Sequence, residues 1–263
     1  MSASGELVAR QTGYALVGFR RNPRAMVFTV AMPIVLLVLF ASVFGGRTQT
    51  TRVGGLPISI DAYYTAGITA YSIMLIGFSG LMISIVTARE RGLLKRYRGT
   101  PMPSWVYLTA QILQTMVTIA LMVALLLAIG LTAYDVEFDS SGVVAFVVYA
   151  VVGSATMCAI GLACTRFATT VDSASAIGPF GTVILGFVSG VFIPVKELPA
   201  WLVDVGRVFP LAHLAEGLQR SFSPAASGTG IDGTNLAVLA LWGIAALAVA
   251  IRTFRWEPLG AGS

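Results

Sequence analysis

Six stretches of the chain run for at least 19 residues without Asp, Glu, Lys or Arg: 25–46, 62–88, 99–134, 140–165, 173–195 and 233–251. A helix needs about 20 mostly apolar residues to cross a hydrocarbon layer. Lipid offers backbone groups no partners, so a span must be a helix or part of a closed barrel. Barrel strands read as alternating segments of about 10 residues, and these runs do not alternate. The pattern predicts an all-α polytopic membrane protein, one transmembrane domain over 1–263. Its six transmembrane helices are expected at about 25–45, 62–88, 105–131, 142–165, 173–193 and 234–252. Pro33 predicts a kink in the first. That run is longer and lies further in than the apolar core of a signal peptide. The third starts late because "GTPMPS" interrupts its run: Gly99 can end a helix, Pro101 and Pro103 block continuation, and Ser104 can cap a new start. Trp105 and Tyr107 then fall where aromatic rings favour the headgroup layer.

Between these runs, polar positions interleave at helical spacing. Residues 4–24 place Leu7, Val8, Tyr14, Ala15 and Phe19 on one broad face, which predicts a helix lying in the membrane interface. Residues 195–222 predict re-entrant segments: two short amphipathic helices folded back into the outer leaflet and split at "FPL". The first carries Trp201, Leu202, Val205, Val208 and Phe209; the second carries Leu211, Leu214, Leu218 and Phe222. Ser223 to Thr234 read as a surface loop. Residues 89–98 predict one short helix, with Leu93, Leu94 and Tyr97 on an apolar face and Arg91, Lys95 and Arg98 on a cationic stripe.

Composition agrees with the pattern. Of 263 residues 56% are hydrophobic and 11% are charged, against about 25% charged in soluble domains. Charge then sets orientation. The N-terminus, 89–98, the link near 166–172 and the C-terminus together hold 12 cations and four acids; the alternate links hold five and eight, which recovers the totals of 17 and 12. Lys and Arg stay on the cytoplasmic side of short loops, so both termini are expected there, with the chain multi-pass in a cytoplasmic membrane.

Several chemistries are missing. Lys95 follows Leu94 and Lys196 follows Val195, so neither lysine completes a phosphate-binding G-x-x-x-x-G-K-[ST] loop. A single histidine, His213, rules out an H-E-x-x-H zinc site. Cys158 and Cys164 point to different faces of one helix, so neither a disulfide nor a metal site is expected. No span interior carries an ionisable residue, which disfavours a secondary transporter or channel, since ion-coupled carriers place such groups at depth. "GFSG" at 77–80 and His213 resemble the serine and histidine of rhomboid intramembrane proteases, but on the wrong segments, and small residues such as Gly77, Ser79 and Gly80 suit helix contacts. The basic link at 89–98 admits two readings: a contact with anionic lipid, or a helix docking into a partner's groove.

"RERGLLKRYRGTPMPSWVYL" resembles the cytoplasmic link of ABC-2 type transporter permeases, a charged run, a Gly-Leu-Leu, a basic stretch and Thr-Pro. "SGVFIPVKELPAWLVDVGRVFPLAHLAEGLQ" resembles their small–Phe–Ile–Pro turn and following Leu-Pro-x-Trp segment, and "FRRNPRAMVFTVAMPIVLLVLF" also fits. The likeness covers essentially the whole chain and is nearest the drug-resistance branch of bacterial exporters. It implies a permease subunit of an exporter, not catalytic alone, moving an amphiphile such as a drug, lipid or glycolipid. It implies two nucleotide-binding ATPase subunits that carry ATP and magnesium, with no cofactor on this chain. A second permease, identical or different, completes the complex; lipids surround it and nucleic acid is not a partner. The implied ATPase-coupling helix comprises Arg89, Glu90, Arg91, Leu93, Leu94, Lys95, Tyr97 and Arg98. The implied outer gate comprises Phe192, Ile193 and Pro194 at the turn after span five, with Leu198, Pro199 and Trp201 beyond it.

Overall fold

The computed structural model describes residues 3–21, 23–45, 49–94, 104–224 and 230–253. Helix α1 (Ala3–Arg20) leads into α2 (Pro23–Phe44), which contains Pro33. A short hairpin follows, β1 (Thr50–Val53) and β2 (Leu56–Ser59). Then come α3 (Ile60–Glu90), α4 (Ser104–Ala133), α5 (Ser140–Cys164) and α6 (Val171–Val188). A 3₁₀ turn at Val195–Glu197 precedes α7 (Ala200–Gly206), α8 (Pro210–Arg220) and α9 (Gly233–Thr253). Among the described residues the protein is all-helical apart from the hairpin. Among the described residues five helices, α3, α4, α5, α6 and α9, are long and apolar enough to cross a bilayer. In α2 the described apolar stretch is Thr29–Phe44, within the charge-free run 25–46.

Helix α3 is the centre of the bundle. The central window of α3 is 78% buried, against 44% in α5, 33% in α4 and 22% in α6 and α9. It packs against α2, α4, α5, α6 and α8. The remaining long helices therefore present apolar side chains outward, such as Leu121, Val147, Phe180 and Ile244. That distribution suits a lipid solvent, in which apolar surface needs no cover. Helix α5 packs most closely on α9, α1 lies along α4, and α7 rests on the end of α6.

Mid-membrane, α3 widens into a π turn at Leu75–Gly80. Such single turns insert one residue into an otherwise α-helical ladder. Small residues of neighbouring helices close on it. A side chain at Gly161 of α5 would stand 2.7 Å from the Gly77 carbonyl oxygen, and one at Gly178 of α6 would stand 2.5 Å from Ser79 Oγ.

The helix ends divide between two faces. At the Arg89 end lie the α3 terminus and the α5–α6 link, where Thr170 and Ser173 form a capping box that starts α6. At the hairpin end, the strands pair antiparallel from Thr50↔Ser59 to Val53↔Leu56. Gly54 and Gly55 turn them with φ of 55° and 83°, the positive values that a two-residue type I′ turn requires. The six-helix pattern contained no such strands, so the hairpin is an addition to the expected fold. Between residues 195 and 222 the backbone makes two short helices that part at Phe209 and Pro210. Pro210 opens α8 at its first turn, where a missing N–H costs nothing.

Candidate functional site: a basic junction and an aromatic cavity

The two predicted stations lie at opposite ends of α3. At the Arg89 end, α3 continues to Glu90 and the backbone then breaks at Gly92, whose φ is 68°. Glycine is the residue that tolerates this left-handed helix stop. A single helix over 89–98 is therefore corrected at its start: Arg89 and Glu90 belong to the central helix, Arg91 and Gly92 form a turn, and helical backbone resumes at Leu93. Lys95, Arg96, Tyr97 and Arg98 lie outside the described residues.

Arg89 faces inward. It is 2% exposed, and its guanidinium donates to the carbonyl of Thr165 at 3.1 Å and to that of Ala168. Those carbonyls follow the end of α5, where a helix leaves C=O groups without intrahelical partners. The Glu90 carboxylate accepts the backbone N–H of Val171 at 2.7 Å, at the start of α6. Arg91 and Leu93 are exposed and Leu94 is fully buried. The expected apolar face is thus divided: Leu93 points out of the molecule and Leu94 into it.

At the hairpin end, Phe192, Ile193 and Pro194 line an open cavity of about 450 Å³. Phe40, Val43 and Phe44 of α2, Ile60 and Tyr64 of α3, and Gln49, Thr50, Lys196 and Glu197 complete it. Phe192 is its keystone. Its ring lies 5.5 Å from Phe40, 5.1 Å from Tyr71 and 5.0 Å from Phe187, measured between centroids. Aromatic pairs in this range contribute roughly 0.5–1.5 kcal/mol each beyond area burial. The turn holding Phe192 is pinned from α3. Gly190 has a φ of 70°, and the Tyr63 hydroxyl donates to its carbonyl and, at 3.3 Å, to that of Ile193. A carbonyl left bare at this depth would lose the partner that lipid cannot supply.

Leu198, Pro199 and Trp201 do not line the cavity. Leu198 is half-buried, Pro199 exposed and Trp201 65% exposed. Sequence reasoning missed Phe40, Phe44, Tyr63, Tyr64, Tyr71 and Phe187. The i, i+4 spacing of Phe40 and Phe44 placed them on one face, but nothing in one dimension paired that face with the turn at 192.

Ser79 and His213 are not a catalytic pair. Ser79 is buried in the π turn. His213 Nδ1 lies 2.7 Å from Asn235 Oδ1 and Nε2 lies 2.8 Å from the Arg207 carbonyl oxygen. The imidazole therefore ties α8 to α9 and to the α7–α8 turn. Neither ring nitrogen is left to act as a base toward a serine.

A bundle of apolar helices around a buried central one marks a multi-pass membrane protein. The ABC-2 type transporter family model matches residues 12–222. The chain belongs to that family and is a transporter membrane subunit. It is 23% identical over 207 residues to the putative transport permease YvfS of Bacillus subtilis, covering 78% of this chain and 82% of that one. It is 25% identical over 229 residues to the daunorubicin resistance ABC transporter permease protein DrrB1 of Streptomyces coeruleorubidus, covering 81% and 77%. It is 24% identical over 152 residues to the probable multidrug ABC transporter permease YbhR of Escherichia coli, covering 57% of this chain but 40% of that one.

Proposed function

We propose that the chain is the membrane-spanning subunit of an ATP-driven exporter for amphiphilic molecules. It crosses the cytoplasmic membrane six times with both termini inside, and pairs with a second permease, identical or different. Two separate subunits bind and hydrolyse ATP with magnesium, and they dock on the segment that begins at Arg91. The observation that carries this reading is the exposed Arg91–Leu93 step at the end of the most buried helix. A motor seated there pushes on the element that α2, α4, α5 and α6 all pack against. The chain's own lack of a phosphate-binding loop fits a division of labour. The aromatic cavity supports an amphiphilic cargo, because rings line it while Lys196 and Glu197 stand at its rim. The drug named for one relative, DrrB1, belongs to that class.

Arg91 and Leu93 are exposed, so changing them leaves the bundle's packing alone. The double variant Arg91→Glu, Leu93→Arg reverses one charge and places another where an apolar contact is needed. In a pull-down from membranes, the wild-type chain is expected to retain its ATPase, and the double variant to lose most of it at equal permease yield. Equal ATPase recovery with both chains contradicts the docking site.

A further inference from the structure

We propose that Arg89 and Glu90 are positioning residues that fasten α3 to α6, so that displacement at the docking segment reaches the Phe192 turn through one strut. The proposal rests on the coupling reading above and assigns these two residues an internal task in place of a docking one.

Helices α3 and α6 are joined at three heights. At the Arg89 end, the buried guanidinium holds the Thr165 and Ala168 carbonyls, and the neighbouring carboxylate holds Val171 N–H. All three bonds are charge-assisted, the stronger and more directional kind. They also suit the helix ends they meet: a cation sits beyond the C-terminus of α5 and an anion at the N-terminus of α6. In mid-membrane, Gly178 lets α6 close on Ser79. At the hairpin end, Tyr71 packs on Phe192 and Tyr63 holds the Gly190 carbonyl. A push on residues 91–94 cannot move α3 without drawing the 165–171 link along. Helix α6 then carries the movement across the membrane to the turn that lines the cavity. Arg89 is the critical fastener because a single planar group bridges two carbonyls, which a lysine's point charge does not reproduce.

The test uses the full chain purified with its co-expressed ATPase, with hydrogen exchange read before and after ATP and magnesium are added. In the wild type, exchange is expected to change at 89–94, at 165–171 and at 187–194. In Arg89→Ala the ATPase still co-purifies and the change at 89–94 persists, while the change at 165–171 is lost and that at 187–194 is weakened. Arg89→Lys restores them in part. Should Arg89→Ala fail to accumulate, Glu90→Gln carries the test, since Glu90 is exposed and its amide keeps the shape; a weakened response at 165–171 and 187–194 is expected. Wild-type responses at 165–171 and 187–194 in Arg89→Ala, or in Glu90→Gln where it stands in, overturn the strut alone. A wild-type chain that shows no ATP response at any segment overturns the coupling reading, and the strut with it.

Discussion

A Gly161→Leu chain is expected to lose most of its folded yield. Even a Cβ at residue 161 would stand 2.7 Å from the Gly77 carbonyl oxygen, 2.8 Å from that of Phe78 and 3.1 Å from the Phe78 Cα. All three are backbone atoms of the π turn, so no side chain can rotate aside. Overpacking typically costs about 1–3 kcal/mol where neighbours can shift, and here the neighbour is the core helix itself. A loss of that size is a large share of the stability of a domain. The control is Gly13→Leu in α1, where nothing lies within 4 Å of the added carbon. Size-exclusion of detergent extracts from equal membrane amounts checks both. Gly13→Leu is expected to match wild type and Gly161→Leu to give little monodisperse protein. Matching yields from the two variants contradict the close α3–α5 crossing.

Phe192→Ala is expected to have the next largest effect, concentrated at the hairpin end. Phe192 is 5% exposed and touches rings from α2, α3 and α6. Removing a buried phenyl costs roughly 3–5 kcal/mol, part of it for the cavity left behind. Here the loss removes the contact that joins the turn to three helices at once. The melting temperature of the detergent-purified chain is expected to fall by several degrees, with Phe192→Leu in between because it keeps apolar volume. Trp201→Ala is the comparison. Trp201 is largely exposed, so its removal leaves the melting temperature close to wild type. Equal melting for Phe192→Ala and Trp201→Ala contradicts the keystone role.

These two residues also mark what one dimension can and cannot carry. The all-helical class was legible because lipid forces each crossing to satisfy its own backbone, and that demand writes itself as a run without charge. The hairpin leaves a fainter mark: in "TTRVGGLPIS" a Gly-Gly pair, the sign of a tight turn, follows Thr50, Thr51 and Val53 and precedes Ile58. Arg89 shows the opposite case. Its place among five cations suggested a surface role, yet its partners lie 76 and 79 residues away. A charge count along the chain has no means to find carbonyls that only the fold brings near. The π turn left no trace either, since the glycines that close on it, Gly161 and Gly178, stand on other helices. At the hairpin end the turn containing Phe192, Ile193 and Pro194 was read from its resemblance to other permeases. The aromatic shell around the turn came from three separate helices, α2, α3 and α6.

The central claim is that this chain moves its cargo only when a separate motor pushes at the Arg91 end of α3. Reconstitution into liposomes tests it most directly, with a fluorescent amphiphilic amine as the probe and ATP supplied on the docking side. The account predicts ATP-dependent probe movement from vesicles holding both the chain and its ATPase, and none from vesicles holding the chain alone. Movement by the chain alone, at a rate indifferent to ATP, would contradict it.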